Sequence, residues 1–216
     1  KSLITVQTCV HSRLKENGLK NLKSRNKFIY LISPNRIYNN FYRDLKLVFK
    51  TNKVKFFQLR LKKSSKSKII IISKKIKKIC RSHNVKFIIN DDPSIALLVG
   101  SDGCHLGQSD MNIKTAREIL GKKIIGITCN NSLRKAREAL KNNADYIALG
   151  AFHSTNTKKI KYKATINDLK KFRKLTNKPI IAIGGINHHN YRKLLLNKAD
   201  FLAISSFVWN NKNFKP

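Results

Sequence analysis

From residue 27 onward the chain alternates short apolar runs with longer stretches in which apolar residues recur every three or four positions. Eight runs read as strands: 27–32, 55–60, 85–90, 102–106, 124–128, 145–149, 179–183 and 200–204. Most are continuous in Ile, Leu, Val and Phe, the pattern of strands buried on both faces. Between them the helical period is clearest at 66–82, 114–120, 132–142, 165–175 and 188–197. Strict β–α alternation implies parallel strands, because each helical crossover returns the chain to the same end of the sheet. Eight such units within residues 27–216 predict an α/β fold, a single compact (β/α)8 TIM barrel at the small end of that fold's size range. Residues 1–26 read as an N-terminal extension. They carry Arg13, Lys15, Lys20, Lys23 and Arg25 but no apolar core like that of a signal peptide.

A barrel sorts its residues by strand end. Strand beginnings gather on the face that serves stability, and strand ends on the face that carries chemistry. Ser101-Asp102-Gly103, Ala144-Asp145-Tyr146 and Ala199-Asp200-Phe201 echo one another at the starts of strands four, six and eight, so these three acids are expected to be structural. At the other end, Gln58, Arg60 and Lys62 alternate after strand two and share one face of an extended segment. Arg offers a planar fork of donors and Lys a compact charge, a pair suited to a diphosphate. Asn90 and Asp91 follow strand three, Gln108 and Asp110 follow strand four, and Thr128 closes strand five. The loop after strand six reads Ser154-Thr155-Asn156-Thr157-Lys158, rich in hydroxyls and closed by a cation. Strand seven runs into Gly184-Gly185, where backbone N–H groups can approach an anion closely, and strand eight ends Ile204-Ser205-Ser206.

Charge sharpens one part of this picture. The chain has eleven carboxylates, and four of them (Asp91, Asp92, Asp102, Asp110) fall within 91–110, where uniform scatter would put about one. Acids concentrated in a basic chain suggest a hard-cation site, and Mg²⁺ takes carboxylate oxygens and bridges to substrate phosphates. Asp91 and Asp110 are placed to share one ion; Asp92, followed by Pro93, reads instead as a helix start. The formal charge of +35 would ordinarily point to nucleic acid. Here 35 Lys against 11 Arg, with 26 Ile and 23 Asn, follow A/T-rich codons, and the positive residues are dispersed, so no dedicated nucleic-acid reader is expected. The longest aliphatic run, Ile69 to Ile72, is far too short to span a bilayer. Cys9, Cys80, Cys104 and Cys129 form no C-x-x-C pair, which fits a reducing cytoplasm. His105 and His153 read as structural, His188 and His189 as exposed at a helix start, and no nucleophile–histidine arrangement stands out. The set therefore predicts two anion sites, a diphosphate site with Mg²⁺ and a monophosphate site without it.

In order and spacing, Q-L-R-x-K at 58–62, I-N-D at 89–91, D-G-x-H-L-G-Q-x-D at 102–110, T-x-T-K at 155–158 and A-I-G-G-I at 182–186 resemble the thiamine phosphate synthase family. The resemblance covers roughly 27–208, and the block at 102–110 is its most specific part. It implies a transferase that joins a hydroxymethylpyrimidine diphosphate to a thiazole phosphate and releases pyrophosphate. It further implies Mg²⁺ on Asp91 and Asp110, and the pyrimidine diphosphate held by Gln58, Arg60, Lys62, Asn90, Thr128 and Lys158. The thiazole phosphate would lie on Thr155, Thr157, Gly185 and Ser205, with Ile204 in the same substrate site. Arg60, Lys62 and Lys158 would act on the leaving group. Leu61 departs from the family pattern, which usually has Glu there. Two alternatives share the barrel: a thiazole tautomerase, which needs no diphosphate grip, and a non-catalytic barrel that binds thiamine precursors or polyanions. The implied partners are small phosphorylated substrates, with no membrane and no fixed oligomeric state.

Overall fold

The computed structural model describes residues 28–154 and 163–210. Eight parallel strands close into a barrel in sequence order, with β1 hydrogen-bonded to both β2 and β8. The strands are β1 Ile29–Ile32, β2 Val54–Leu59, β3 Lys86–Asn90, β4 Gly103–Leu106, β5 Ile124–Asn130, β6 Tyr146–Gly150, β7 Ile180–Ile183 and β8 Phe201–Ile204. All eight expected strands form, each within two residues of the predicted bounds. The expected N-terminal extension, 1–26, lies outside the described residues.

Each strand is followed by a helix. These are α1 Phe41–Lys50, α2 Lys66–Ser82, α3 Pro93–Leu98, α4 Ile113–Leu120, α5 Leu133–Lys141, α6 Ile166–Leu175, α7 Tyr191–Leu196 and α8 Ser206–Trp209. Side-chain oxygens start five of them: Ser65, Asp92, Asn112, Ser132 and Thr165 each accept a backbone N–H from the first turn. Asp92 caps α3 through the Ile95 N–H at 2.9 Å with Pro93 behind it, as its sequence context predicts. His188 and His189 are exposed, but they sit in the turn ahead of α7 rather than in its first turn.

The period of two along each strand divides the core. Leu31, Phe57, Phe87, Ile89, Ile147, Leu149 and Leu202 pack outward against the helices in the larger cluster. Their neighbours Tyr30, Ile32, Phe56, Ile88, Tyr146, Ala148, Ile181 and Ala203 form a second cluster that fills the barrel. Leu61 is 4% exposed and belongs to the outer cluster, so this departure from the family pattern points away from the barrel mouth.

The strand-start end is tied by a repeated clamp. Asp102, Asp145 and Asp200 each accept the N–H of Phe87, Ile125 or Ile180 on the preceding strand, all at 2.8 Å. Each returns its own N–H to the same residue's carbonyl. A cation completes each clamp: Lys86 at 2.8 Å from Asp102, Arg117 at 2.8 Å from Asp145, and Arg173 on Asp200. The strand pairs β3/β4, β5/β6 and β7/β8 are thereby locked, which gives the sequence echo its structural meaning.

Candidate active site

Inward-facing positions that hold apolar side chains deep in the barrel turn polar at the strand ends, where a cavity of about 510 Å³ opens. One arc of its wall comes from β2 to β5 and the loops after them. It includes Gln58, Arg60, Lys62, Asn90, Asp91 and Asp110, with Gln108 and Thr128 beyond them. The other arc comes from β7 and β8 and includes Gly184, Gly185, Ser205 and Ser206. Residues 100 or more apart in sequence therefore meet at one mouth because β1 closes on β8.

The two expected metal ligands come together. Asp91 sits at the end of β3 in a left-handed conformation, φ 68°, which Asp tolerates better than most residues. Its N–H donates to the His105 carbonyl at 2.8 Å, holding the turn against β4. Asp110 is fixed from the next loop, where its Oδ2 accepts the Gly107 N–H at 2.6 Å. The two carboxyls lie within hydrogen-bonding reach of each other, and Lys62 Nζ stands 3.1 Å from Asp91 Oδ2. Burial and the neighbouring Asp110 push the Asp91 carboxyl above its ordinary range, and Lys62 opposes the shift.

Two facing carboxylates with the Lys62 ammonium beside one of them make a receptive place for a divalent cation. The donors are hard oxygens, which suits Mg²⁺. Among the described residues no group of three or more His, Cys, Asp or Glu could hold a metal. Two carboxylates fit an ion that keeps several waters and takes its remaining ligands from substrate phosphates.

His105, expected to be structural, is 9% exposed yet lines the cavity. Its Nδ1 meets the Tyr146 hydroxyl at 2.9 Å and its Nε2 meets Thr128 Oγ1 at 2.8 Å. Burial lowers its pKa to about 4, with Asp110 opposing and Arg60 adding to the shift, so the ring is neutral at physiological pH. Gln108 donates from Nε2 to the Thr128 carbonyl, bracing the same residue from the other side.

On the far arc the chain passes so tightly that side chains are excluded. A Cβ on Gly185, at φ 57°, would stand 2.3 Å from the Ser154 carbonyl oxygen, and one on Gly184 would stand 2.4 Å from Ala151 Cβ. Ser205 donates its hydroxyl to the Ser33 carbonyl at 3.1 Å. Ile204 does not line the cavity. Its side chain packs in the outer core, where the period of two sends it while Ala203 and Ser205 face in. Thr155, Thr157 and Lys158 lie outside the described residues. Sequence reasoning did not single out Asn130, Ile32, Ile183, Ile186 and Ala203, which also line the cavity. For Ile32, Asn130, Ile183 and Ala203, position at the end of a strand was the available signal; Ile186, in the loop after β7, had none.

Comparison with known proteins gives a consistent result. A profile of the family described as "Thiamine monophosphate synthase" matches residues 29–208. A "Thiamine-phosphate synthase" of Pelagibacter ubique is 57% identical over 199 residues, covering 92% of this chain and 96% of that protein. The protein of the same description from Clostridium tetani is 36% identical over 191 residues, covering 87% and 90%. The solved structure described as thiamine phosphate pyrophosphorylase from Pyrococcus furiosus superposes with a TM-score of 0.77 at 30% identity, covering 89% of this chain and 91% of that one.

Proposed function

The chain belongs to the thiamine monophosphate synthase family and is an enzyme of it, and from that premise we propose that its cavity joins a hydroxymethylpyrimidine diphosphate to a thiazole phosphate with release of pyrophosphate. The observation that carries this reading is the meeting of Arg60, Lys62, Asp91 and Asp110 on one arc of a cavity whose other arc ends in Gly184-Gly185 and Ser205. Such an arrangement suits two anionic groups held apart across a space lined between them by Ile32, Ile183, Ile186 and Ala203. Flat heterocycles fit apolar walls of this kind.

The chemistry asks little of the protein as a nucleophile. Electron donation from the pyrimidine amino group breaks the bond from the ring's methylene carbon to the diphosphate oxygen, and the electron pair leaves with pyrophosphate. The resulting methylene cation is stabilised by the ring, and the thiazole nitrogen then supplies the pair for the new C–N bond. The residues have two tasks, to stabilise the leaving charge and to align the partners. Arg60 and Lys62 grip the leaving diphosphate, with Gln58, Asn90 and Thr128 contributing neutral donors. Asp91 and Asp110 would hold Mg²⁺, which when bound neutralises the diphosphate. Gly185 and Ser205 anchor the thiazole phosphate so that its nitrogen faces the reacting carbon, and the apolar wall limits the approach of water to the cation.

The test is pyrophosphate release by the purified protein given both substrates and Mg²⁺, with single-substrate and EDTA controls. Release is expected only when all three are present, with thiamine phosphate formed in equal amount. Binding of thiazole phosphate without release in the complete mixture would contradict the proposal.

A further inference from the structure

Four side chains form an unbroken line of hydrogen bonds from the middle of the barrel to the cavity wall. Tyr30 and Tyr146 share a hydroxyl–hydroxyl contact of 2.8 Å. Tyr146 meets His105 Nδ1 at 2.9 Å, and His105 Nε2 meets Thr128 Oγ1 at 2.8 Å. His105 and Thr128 line the cavity, whereas the two tyrosines lie beneath it, each 2% exposed. No ionic group takes part in any of the three links, and burying a charge without a paired counter-charge is costly, so each member of the line is neutral.

Proton counting then fixes the direction. Each of the four groups carries one hydrogen-bonding proton, but the line has three links, so one proton must point elsewhere. A neutral imidazole can give only one of its two nitrogens as donor. If Thr128 donated to His105, the spare proton would fall on Tyr30 or Tyr146. Neither hydroxyl has a further acceptor among the described residues, and a buried donor left unpaired is costly. The remaining arrangement has Tyr30 donating to Tyr146, Tyr146 to His105 Nδ1, and the His105 Nε2–H to Thr128 Oγ1. The spare proton is then the Thr128 hydroxyl proton, which faces the cavity.

We infer that His105 is a positioning residue, locked as the Nε2–H tautomer by the tyrosine pair, which commits Thr128 to donate its hydroxyl proton to an anionic group in the cavity. Two observations support a purpose-built line. His105 stacks on Tyr146 with 5.6 Å between ring centroids and 14° between planes. Gly126, paired with Tyr146 across β5 and β6, makes room for the phenol, since a Cβ there would stand 1.8 Å from the ring. The identity of the anion as the substrate diphosphate rests on the proposed function; the tautomer and the direction of donation do not.

The test uses the full chain with ¹⁵N-labelled histidine and two-bond ¹H–¹⁵N correlation spectra, the His105 signals being those lost in His105→Asn. A protonated Nε2 and a bare Nδ1 are expected in the wild type. An Nδ1–H tautomer would overturn the inference. A second arm measures magnesium pyrophosphate binding by calorimetry in Tyr146→Phe, Thr128→Val and the double variant. Each single change should weaken binding about fivefold, the worth of one ordinary hydrogen bond. The double change should cost no more than either, because both remove the same donor. Additive losses, or wild-type affinity in Tyr146→Phe, would overturn the positioning role. A wild type that binds no magnesium pyrophosphate would contradict the proposed function instead, with the tautomer still deciding the relay.

Discussion

At the strand-start end of the barrel, Asp102, Asp145 and Asp200 each accept a backbone N–H from the neighbouring strand and pair with a cation of their own. At the strand-end mouth, Asp91 and Asp110 face each other, with Lys62 as the nearby ammonium. The residue type is the same, and the circumstances are opposite. The first set is satisfied by the protein itself, so it stabilises the fold and has little left to offer a ligand. The second set repels itself, so it gains most when something positive arrives. For these five carboxylates, the end of the strand each occupies decides whether the protein already satisfies it.

Removing one acid from each end should produce opposite effects. Asp110→Ala should lower turnover by at least about 100-fold, the scale of losing a group that stabilises leaving charge, while the protein keeps its melting temperature within a few degrees. Turnover within twofold of wild type would remove Asp110 from the metal site. Asp200→Ala should do the reverse. It removes the side-chain acceptor of the Ile180 N–H and the carboxylate paired with the Arg173 guanidinium, only 18% exposed, and should cost about 2–3 kcal/mol of stability. Turnover measured well below the melting point should be unchanged, and a matching loss of activity would mean that the clamp also shapes the mouth.

A smaller effect sharpens the same contrast. The Asp91 carboxyl is held above its ordinary pKa, so the folded state keeps its proton to higher pH than the unfolded chain does. Metal-free wild type should therefore lose stability as pH rises from about 4 through that raised value. Asp91→Asn should flatten this fall and melt about 2–4 °C higher than wild type near neutral pH without metal. It should also lose the stabilisation that Mg²⁺ gives the wild type. Scanning calorimetry with and without Mg²⁺ across that range reads both effects; a variant that melts lower and still responds to Mg²⁺ would contradict the repulsion between the two acids.

The sequence carried these two ends unequally. The strands were legible because runs such as Phe87-Ile88-Ile89 are apolar on both faces, and because a short polar or Gly-containing break marks each end. The strand-end acids were legible because counting along each strand tells which residues must emerge at the mouth. Helices α3 and α8, of 6 and 4 residues, are too short to establish a period. α1 lacks a side-chain cap to announce its start, and its Phe and Val content reads equally well as strand. His105 was read as structural, and its burial agrees with that reading. What no local pattern could reveal is that it ends at Thr128, or that Tyr30 and Tyr146, 116 residues apart, meet beneath it. Contacts across the barrel interior depend on closure of the sheet, and local sequence carries no signature of them. Ile204 adjoins Ser205 and Ser206 in sequence, and the alternation of the strand turns its side chain to the outer core.

Calorimetric binding of magnesium pyrophosphate to Asp110→Ala and Asp200→Ala alongside the wild type separates the two ends of the barrel most directly. The wild type and Asp200→Ala should bind with equal affinity and only in the presence of Mg²⁺, while Asp110→Ala should show no Mg²⁺-dependent binding. Retained affinity in Asp110→Ala, or its loss in folded Asp200→Ala, would contradict the division of roles between the two ends of the barrel.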